Sequence, residues 1–187
     1  KTYPVTESKQ ICGEKWRNLI SVEAKPRAIT NCLNFGNPEN QEIMGEFAEC
    51  LEGIKEACNF LSYPVVSGNV SFYNGTNKKN IYPTPVIGGV GLIKKLSKPL
   101  SHNFKQADST IILIGKTFGH IEQSCYLKEN YSITEGMPPE INLLNEKNNG
   151  ESLLKLIDRN LILSAHDVSN GGLITALSEM ALTSEFG

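Results

Sequence analysis

Four polar groupings in this chain have residue types and spacings that can do chemistry. In Ser67-Gly68-Asn69-Val70-Ser71, a glycine and an asparagine interrupt a run whose valines at 65, 66 and 70 suit a buried strand. A buried Gly packs nothing, and a buried Asn has four hydrogen-bonding groups to satisfy. A ligand is one reason to keep both. Gly lets an oxygen or a phosphate approach the backbone, and an Asn carbonyl can coordinate Mg²⁺. A β-bulge with a self-satisfied Asn is the other reading. In Asn31–Pro38 (NCLNFGNP) a strand end runs through Gly into a helix start, where α/β folds often bind ligands, although an ordinary strand–helix connection looks the same. In His166–Leu173 (HDVSNGGL) Asp167 can hold a cation and the N–H groups around Gly171 and Gly172 can face an anion; equally, Ser169 or Asn170 can simply cap a helix. Glu14 and Asn18 stand four apart, so on a helix they share one face. There they can share a metal ion or form a solvated polar pair.

Other chemistry is poorly served. His102, His120 and His166 are far apart in the chain, and none pairs with a cysteine at zinc spacing. Neither a phosphate-cradling G-x-x-x-x-G-K-[ST] loop nor a G-x-S-x-G elbow occurs. Gly88, Gly89 and Gly91 lie inside a strand pattern, so they do not form a dinucleotide fingerprint. The net charge is −2 and there is no Lys/Arg block, which argues against nucleic acid as a partner. There is no apolar run of membrane-spanning length. The five cysteines are odd in number and lack a C-x-x-C, so the expected setting is the reducing cytoplasm, and several of them fall on apolar faces, where small buried hydrophobes are expected.

The elements that must position these residues follow from periodicity. A helix is expected over Glu14–Glu23 and a period-two strand over Ala28–Phe35, then a turn with Asn37 as cap and Pro38 as first helical residue. Ile43, Phe47, Leu51, Ile54, Cys58 and Leu61 recur at steps of three and four and mark one face of a helix. A buried strand is expected over Pro64–Tyr73, broken at Gly68-Asn69. A polar loop follows over Asn74–Asn80, and a strand over Thr84–Ile93. Leu96–Asp108 is polar, contains Pro99 and reads as a boundary, so the expected division is 1–103 and 104–187. Beyond it, Thr110–Gly115 reads as a buried strand, Met137–Gly150 as irregular, Glu151–Arg159 as a helix, Leu161–Ala165 as a strand and Gly171–Leu182 as a helix.

Taken in order, TNCLNFGNPE, the amphipathic helix, PVVSGNVSFYN, PTPVIGGVG and HDVSNGGL with ALSEMAL resemble the synthetase subunit of phosphoribosylformylglycinamidine synthase. The match begins near Glu14. LNFGNPE and SGNVSFYN are specific to that enzyme family, whereas D-x-S-x-G-G-L is shared across the superfamily of aminoimidazole ribonucleotide synthetase. The resemblance implies an α/β (α+β) fold: a mixed-sheet N-domain with flanking helices, then the front part of an α/β C-domain. It implies the second of two such copies in a longer protein. It also implies a ligase that joins ammonia from a glutaminase to formylglycinamide ribonucleotide at the expense of ATP, with Mg²⁺.

Residue by residue, the resemblance implies ATP contacts at Asn31 and Gly68, a Mg²⁺ ligand at Asn69 and a ribonucleotide contact at Ser71. It implies no catalytic residue in this chain. Glu14, Asn18 and Asp167 match Mg²⁺ ligands of an auxiliary nucleotide site in larger family members. Asn31 and Asn170 stand where Asp is commoner, and Phe118–Ser124 lacks an expected glycine. The implied partners are first-copy domains of the same enzyme, a glutaminase subunit or domain, and a small accessory subunit. A non-catalytic nucleotide-binding or scaffold half is the competing expectation. A small-molecule kinase of the same superfamily is disfavoured by SGNVSFYN.

Overall fold

The computed structural model describes residues 3–94 and 100–186. Helix α1 spans Pro4–Ser21, with proline at its first turn, where a missing N–H costs nothing. Ser8, Cys12, Trp16 and Ile20 recur every four residues and are all buried, so one stripe of α1 faces the core. The helix starts well before the expected Glu14 because that stripe extends back to Ser8 and Pro4.

Strand β1 (Lys25–Asn34) is the centre of a three-stranded sheet of order β2-β1-β5. It runs parallel to β2 (Val65–Ser71) and antiparallel to β5 (Thr84–Leu92). Helix α2 (Gln41–Leu61) makes the crossover between the parallel pair. Its cap is Asn40, whose side chain accepts from Glu42 N at 2.9 Å. Asn37, the expected cap, instead accepts from Glu39 N in the preceding turn. The buried face of α2 carries Ile43, Cys50, Ile54, Ala57, Cys58 and Leu61. Leu51, expected on that face, is 39% exposed. Phe35, Phe47 and Phe72 close this end of the core, with ring centroids 5.1 Å apart for Phe35–Phe47 and for Phe47–Phe72.

β2 is not the buried strand its valines suggested. It is an edge, Val66 and Val70 are exposed, and α1 packs on β1 and β5 instead. Nor is it broken at Gly68-Asn69: the register shift falls upstream, opposite Ile29 and Thr30. The expected loop at 74–80 contains a small hairpin, β3 (Gly75–Thr76) with β4 (Lys79–Asn80). Its two turn residues, Asn77 and Lys78, both have positive φ, as a type I′ turn requires.

The C-terminal part is helical among the described residues: α3 (Cys125–Tyr131), α4 (Leu143–Asp158) and α5 (Gly172–Leu182). α3 was not expected; Ser124 caps it. The apolar runs Thr110–Gly115 and Leu161–Ala165 form no strand, because no strand pairs with them among the described residues, and Ile112 and Leu161 are exposed. Residues 96–99 of the expected boundary lie outside the described residues. Much of the segment expected to be irregular, Met137–Gly150, belongs to α4. Asn142 caps that helix by accepting from Asn145 N. α4 docks on α1. Gly150 lies against Trp16 and Ile20, Arg17 pairs with Glu146 at 2.8 Å, and Lys147 sits over the Phe60 ring of α2. No helix of the described residues is long and apolar enough to cross a membrane.

Candidate functional site

The first cluster lies toward the carboxyl ends of β1 and β2, where parallel strands leave a crevice for ligands. Register pairs Asn31 with Gly68, Cys32 with Asn69 and Asn34 with Ser71. Asn31 also pairs with buried Ile87 on β5. Alternation therefore puts Asn31 and Gly68 on the helix-bearing side of the sheet, and Asn69 and Ser71 on the open side. The four candidates share one strand pair but divide between its two faces.

Gly68 is explained by Asn31. A Cβ on Gly68 would overlap Asn31 Oδ1 and lie 3.0 Å from the Asn31 carbonyl oxygen. Asn69 is exposed, and its amide makes no hydrogen bond among the described residues. A free amide oxygen on an open face suits a hard cation that keeps most of its waters.

Ser71 is half-buried and tied to Asn74, a residue that sequence reasoning had assigned only to a loop. Asn74 Nδ2 donates to Phe35 O and Ser71 O, each at 3.0 Å, and Ser71 Oγ donates to Asn74 Oδ1 at 3.2 Å. The backbone adds Tyr73 N to Gly36 O at 2.9 Å and Phe35 N to Ser71 O at 3.0 Å. Asn80 works similarly one strand away. It accepts from Asn37 N at 3.0 Å, and its Cβ and Cγ would meet any Cβ placed on Gly36 at 2.6 and 2.7 Å. Asn74 and Asn80 thus hold the loop after β1. The only sequence signal was the density of asparagines.

The second cluster joins residues far apart in the chain. With its amide nitrogen toward Asp167, the orientation that satisfies both of its polar atoms, Asn18 donates to Asp167 Oδ2 at 2.9 Å and to the Glu14 carbonyl oxygen at 3.0 Å. Asn18 and Asp167 therefore meet, while Glu14 enters through its backbone. A Mg²⁺ ion bridging the two side chains would require the amide to turn its oxygen inward. Beside them, His166 Nε2 lies 3.0 Å from Glu179 Oε2, and the His102 ring meets His166 edge-on. No group of three or more His, Cys, Asp or Glu side chains is arranged to hold a metal among the described residues.

Three thiols are buried where α1 meets α2. Burial pushes Cys50 up to about 11, against a weaker opposing hydrogen bond from Ser8. A hydrogen bond with Cys58, then burial, drives Cys12 upward as well. The same hydrogen bond, working against burial, holds Cys58 below the usual thiol range. Cys12 and Cys50 are packing atoms, not nucleophiles.

Two family models match this chain: AIR synthase related protein, N-terminal domain, over residues 4–93, and AIR synthase related protein, C-terminal domain, over residues 106–187. The chain belongs to the AIR synthase related family. It is 58% identical over 185 residues to phosphoribosylformylglycinamidine synthase subunit PurL of Pelagibacter ubique, covering 99% of this chain and 25% of that protein. The chain thus spans about a quarter of the length of the curated relatives it matches. The fold is that of the solved phosphoribosylformylglycinamidine synthase II from Thermotoga maritima, with a TM-score of 0.50 at 24% identity over 92% of this chain and 24% of that one. T. maritima PurL complexed with ATP gives a TM-score of 0.41 at 38% identity over 45% of this chain and 14% of that one.

Proposed function

We propose that the chain is a section of the synthetase subunit of phosphoribosylformylglycinamidine synthase and forms one side of its ATP, Mg²⁺ and ribonucleotide site. The observation that carries this reading is the β1–β2 register, which sets Asn31, Gly68, Asn69 and Ser71 in neighbouring rows at the ligand-accepting end of a parallel pair. In the reaction, the amide oxygen of formylglycinamide ribonucleotide is phosphorylated from ATP and ammonia then displaces phosphate, giving formylglycinamidine ribonucleotide. Because β2 is an edge, a nucleotide lying over that edge can meet Asn31 and Gly68 from the helix-bearing side while Asn69 offers an oxygen to Mg²⁺ from the open side, where Ser71 meets the ribonucleotide. Mg²⁺, when bound, neutralises phosphate charge and holds the chain of phosphates in line.

The chain supplies no catalytic residue, so first-copy domains complete the site. A glutaminase subunit or domain delivers ammonia, with a small accessory subunit in the assembly, in the cytoplasm. The division at 103/104 is supported by family matches that end at 93 and resume at 106.

In the complete enzyme, Asn69→Ala should raise the Mg²⁺ requirement about tenfold or more, while exposed Asn59→Ala on α2 leaves it unchanged. Equal Mg²⁺ dependence would remove Asn69 from the metal site. The isolated chain should make no product; coupled ATP hydrolysis and amidine formation by it would refute the divided site. A scaffold role is favoured by one observation, the Asn18–Asp167 contact, a side-chain hydrogen bond that ties the C-terminal part to α1.

A further inference from the structure

The hydrogen bonds at the end of β2 determine how Ser71 can meet a ligand. Asn74 Nδ2 has two hydrogens. The carbonyl oxygens of Phe35 and Ser71 take them, each at 3.0 Å. These two carbonyls orient the amide, because Oδ1 in the same place would face them acceptor to acceptor. Asn74 Oδ1 then lies 3.2 Å from Ser71 Oγ, and only the serine can donate between them. The approach of Nδ2 to Ser71 Oγ, at 3.1 Å, has no hydrogen left to fill it. The one hydroxyl proton of Ser71 is therefore committed to Asn74, and its lone pairs remain.

We propose that Asn74 is a positioning residue that makes Ser71 a hydrogen-bond acceptor in the substrate site. Ser71 takes a hydroxyl or an amide N–H of the ligand and rejects an unprotonated phosphate oxygen. This inference rests on the reading that Ser71 contacts the ribonucleotide. That substrate offers both donor types, on its ribose and on its amides.

The test uses the complete enzyme with Ser71→Ala, Asn74→Ala and the double variant. Ser71→Ala should raise KM for formylglycinamide ribonucleotide about five- to tenfold, the weight of one hydrogen bond, with a smaller change in kcat. Asn74→Ala should raise KM comparably, and the double variant should be no worse than Ser71→Ala alone. Multiplying KM effects would overturn the positioning role. An unchanged KM in Ser71→Ala would instead defeat the substrate-contact reading, and this inference with it.

Asn74→Ala also takes one of two donors from each of two carbonyls, which keep only Phe35 N and Asn74 N, and can fail to fold, so Ser71→Ala carries a second measurement. Inhibition by methyl phosphate, ribose 5-phosphate and N-formylglycinamide is compared with wild type. Methyl phosphate should inhibit both equally. Ribose 5-phosphate should weaken about five- to tenfold if the donor is a ribose hydroxyl, and N-formylglycinamide if it is an amide N–H. Weakened inhibition by methyl phosphate overturns the acceptor assignment, as does a raised KM with all three inhibitors unaffected.

Discussion

Alanine at Gly45 should stabilise the fold, and alanine at Gly150 should not. Both glycines lie inside helices, where replacing Gly by Ala gains about 1 kcal/mol of helix propensity. Gly45 on α2 has nothing within 4 Å of a Cβ, so Gly45→Ala should keep that gain in full. Gly150 on α4 is buried against α1. Its Cβ would overlap the Trp16 ring and lie 2.6 Å from Ile20 Cδ1. Trp16 and Ile20 are 5% and 1% exposed, so neither can swing into solvent and α4 must lift off α1. Such overpacking costs about 1–3 kcal/mol. The propensity gain is common to both variants, so their difference isolates that cost. For a chain of this size it separates the two melting temperatures by roughly 2–12 °C. Thermal and urea unfolding followed by circular dichroism measure it. A Gly150→Ala variant as stable as Gly45→Ala would show that α4 does not sit on α1 in this way.

Asn18→Ala and Asp167→Asn should be non-additive in urea unfolding, with a coupling of about 1–2 kcal/mol for a hydrogen bond to a charged group; additivity within about 0.5 kcal/mol would exclude the contact. Alkaline pH should destabilise the fold. Burial raises Cys50 from 9.0 to about 11 and Tyr63 from 10.0 to about 12. Both groups are neutral when protonated, so their contribution is whole below pH 9.0, falls as pH climbs through this window, and is gone above about 12. A urea midpoint that held constant from neutral pH to about 11 would contradict this. A thiol reagent should label exposed Cys125 in the native state and reach Cys12, Cys50 and Cys58 only on unfolding; early labelling of Cys12 would contradict its burial.

The parts of the fold that were legible in the sequence were those whose pattern coincided with packing. Ile43, Ile54, Cys58 and Leu61 marked α2, and Gly171 with Gly172 marked the start of α5. Misreadings arose where the partner was remote. The valines of β2 have the composition of a buried strand, but composition cannot say whether a helix covers it, and α1 and α2 lie elsewhere. Asn145, Asn148, Asn149 and Gly150 are poor helix formers, and α4 forms through them because Trp16 and Ile20 give it a surface to bury. At the candidate site, the string SGNVS identified the strand, but its division between two faces needed the register. The Asn74 clamp was hidden in a run of loop asparagines. The Asn18–Asp167 contact spans most of the chain, and the resemblance alone suggested that these residues belong together.

α1 faces two ways. One side packs against α2 and the sheet, and another receives α4. The two family domains therefore share a helix as a common wall, and neither can open along that wall without exposing Trp16 or Ile20. In hydrogen-exchange terms, α1, α2 and α4 should behave as one cooperative unit with the slowest-exchanging amides, while the uncovered β2 edge opens independently. A cut in the stretch between the two family matches, 94–105, would then yield two pieces that remain associated until α1 itself melts.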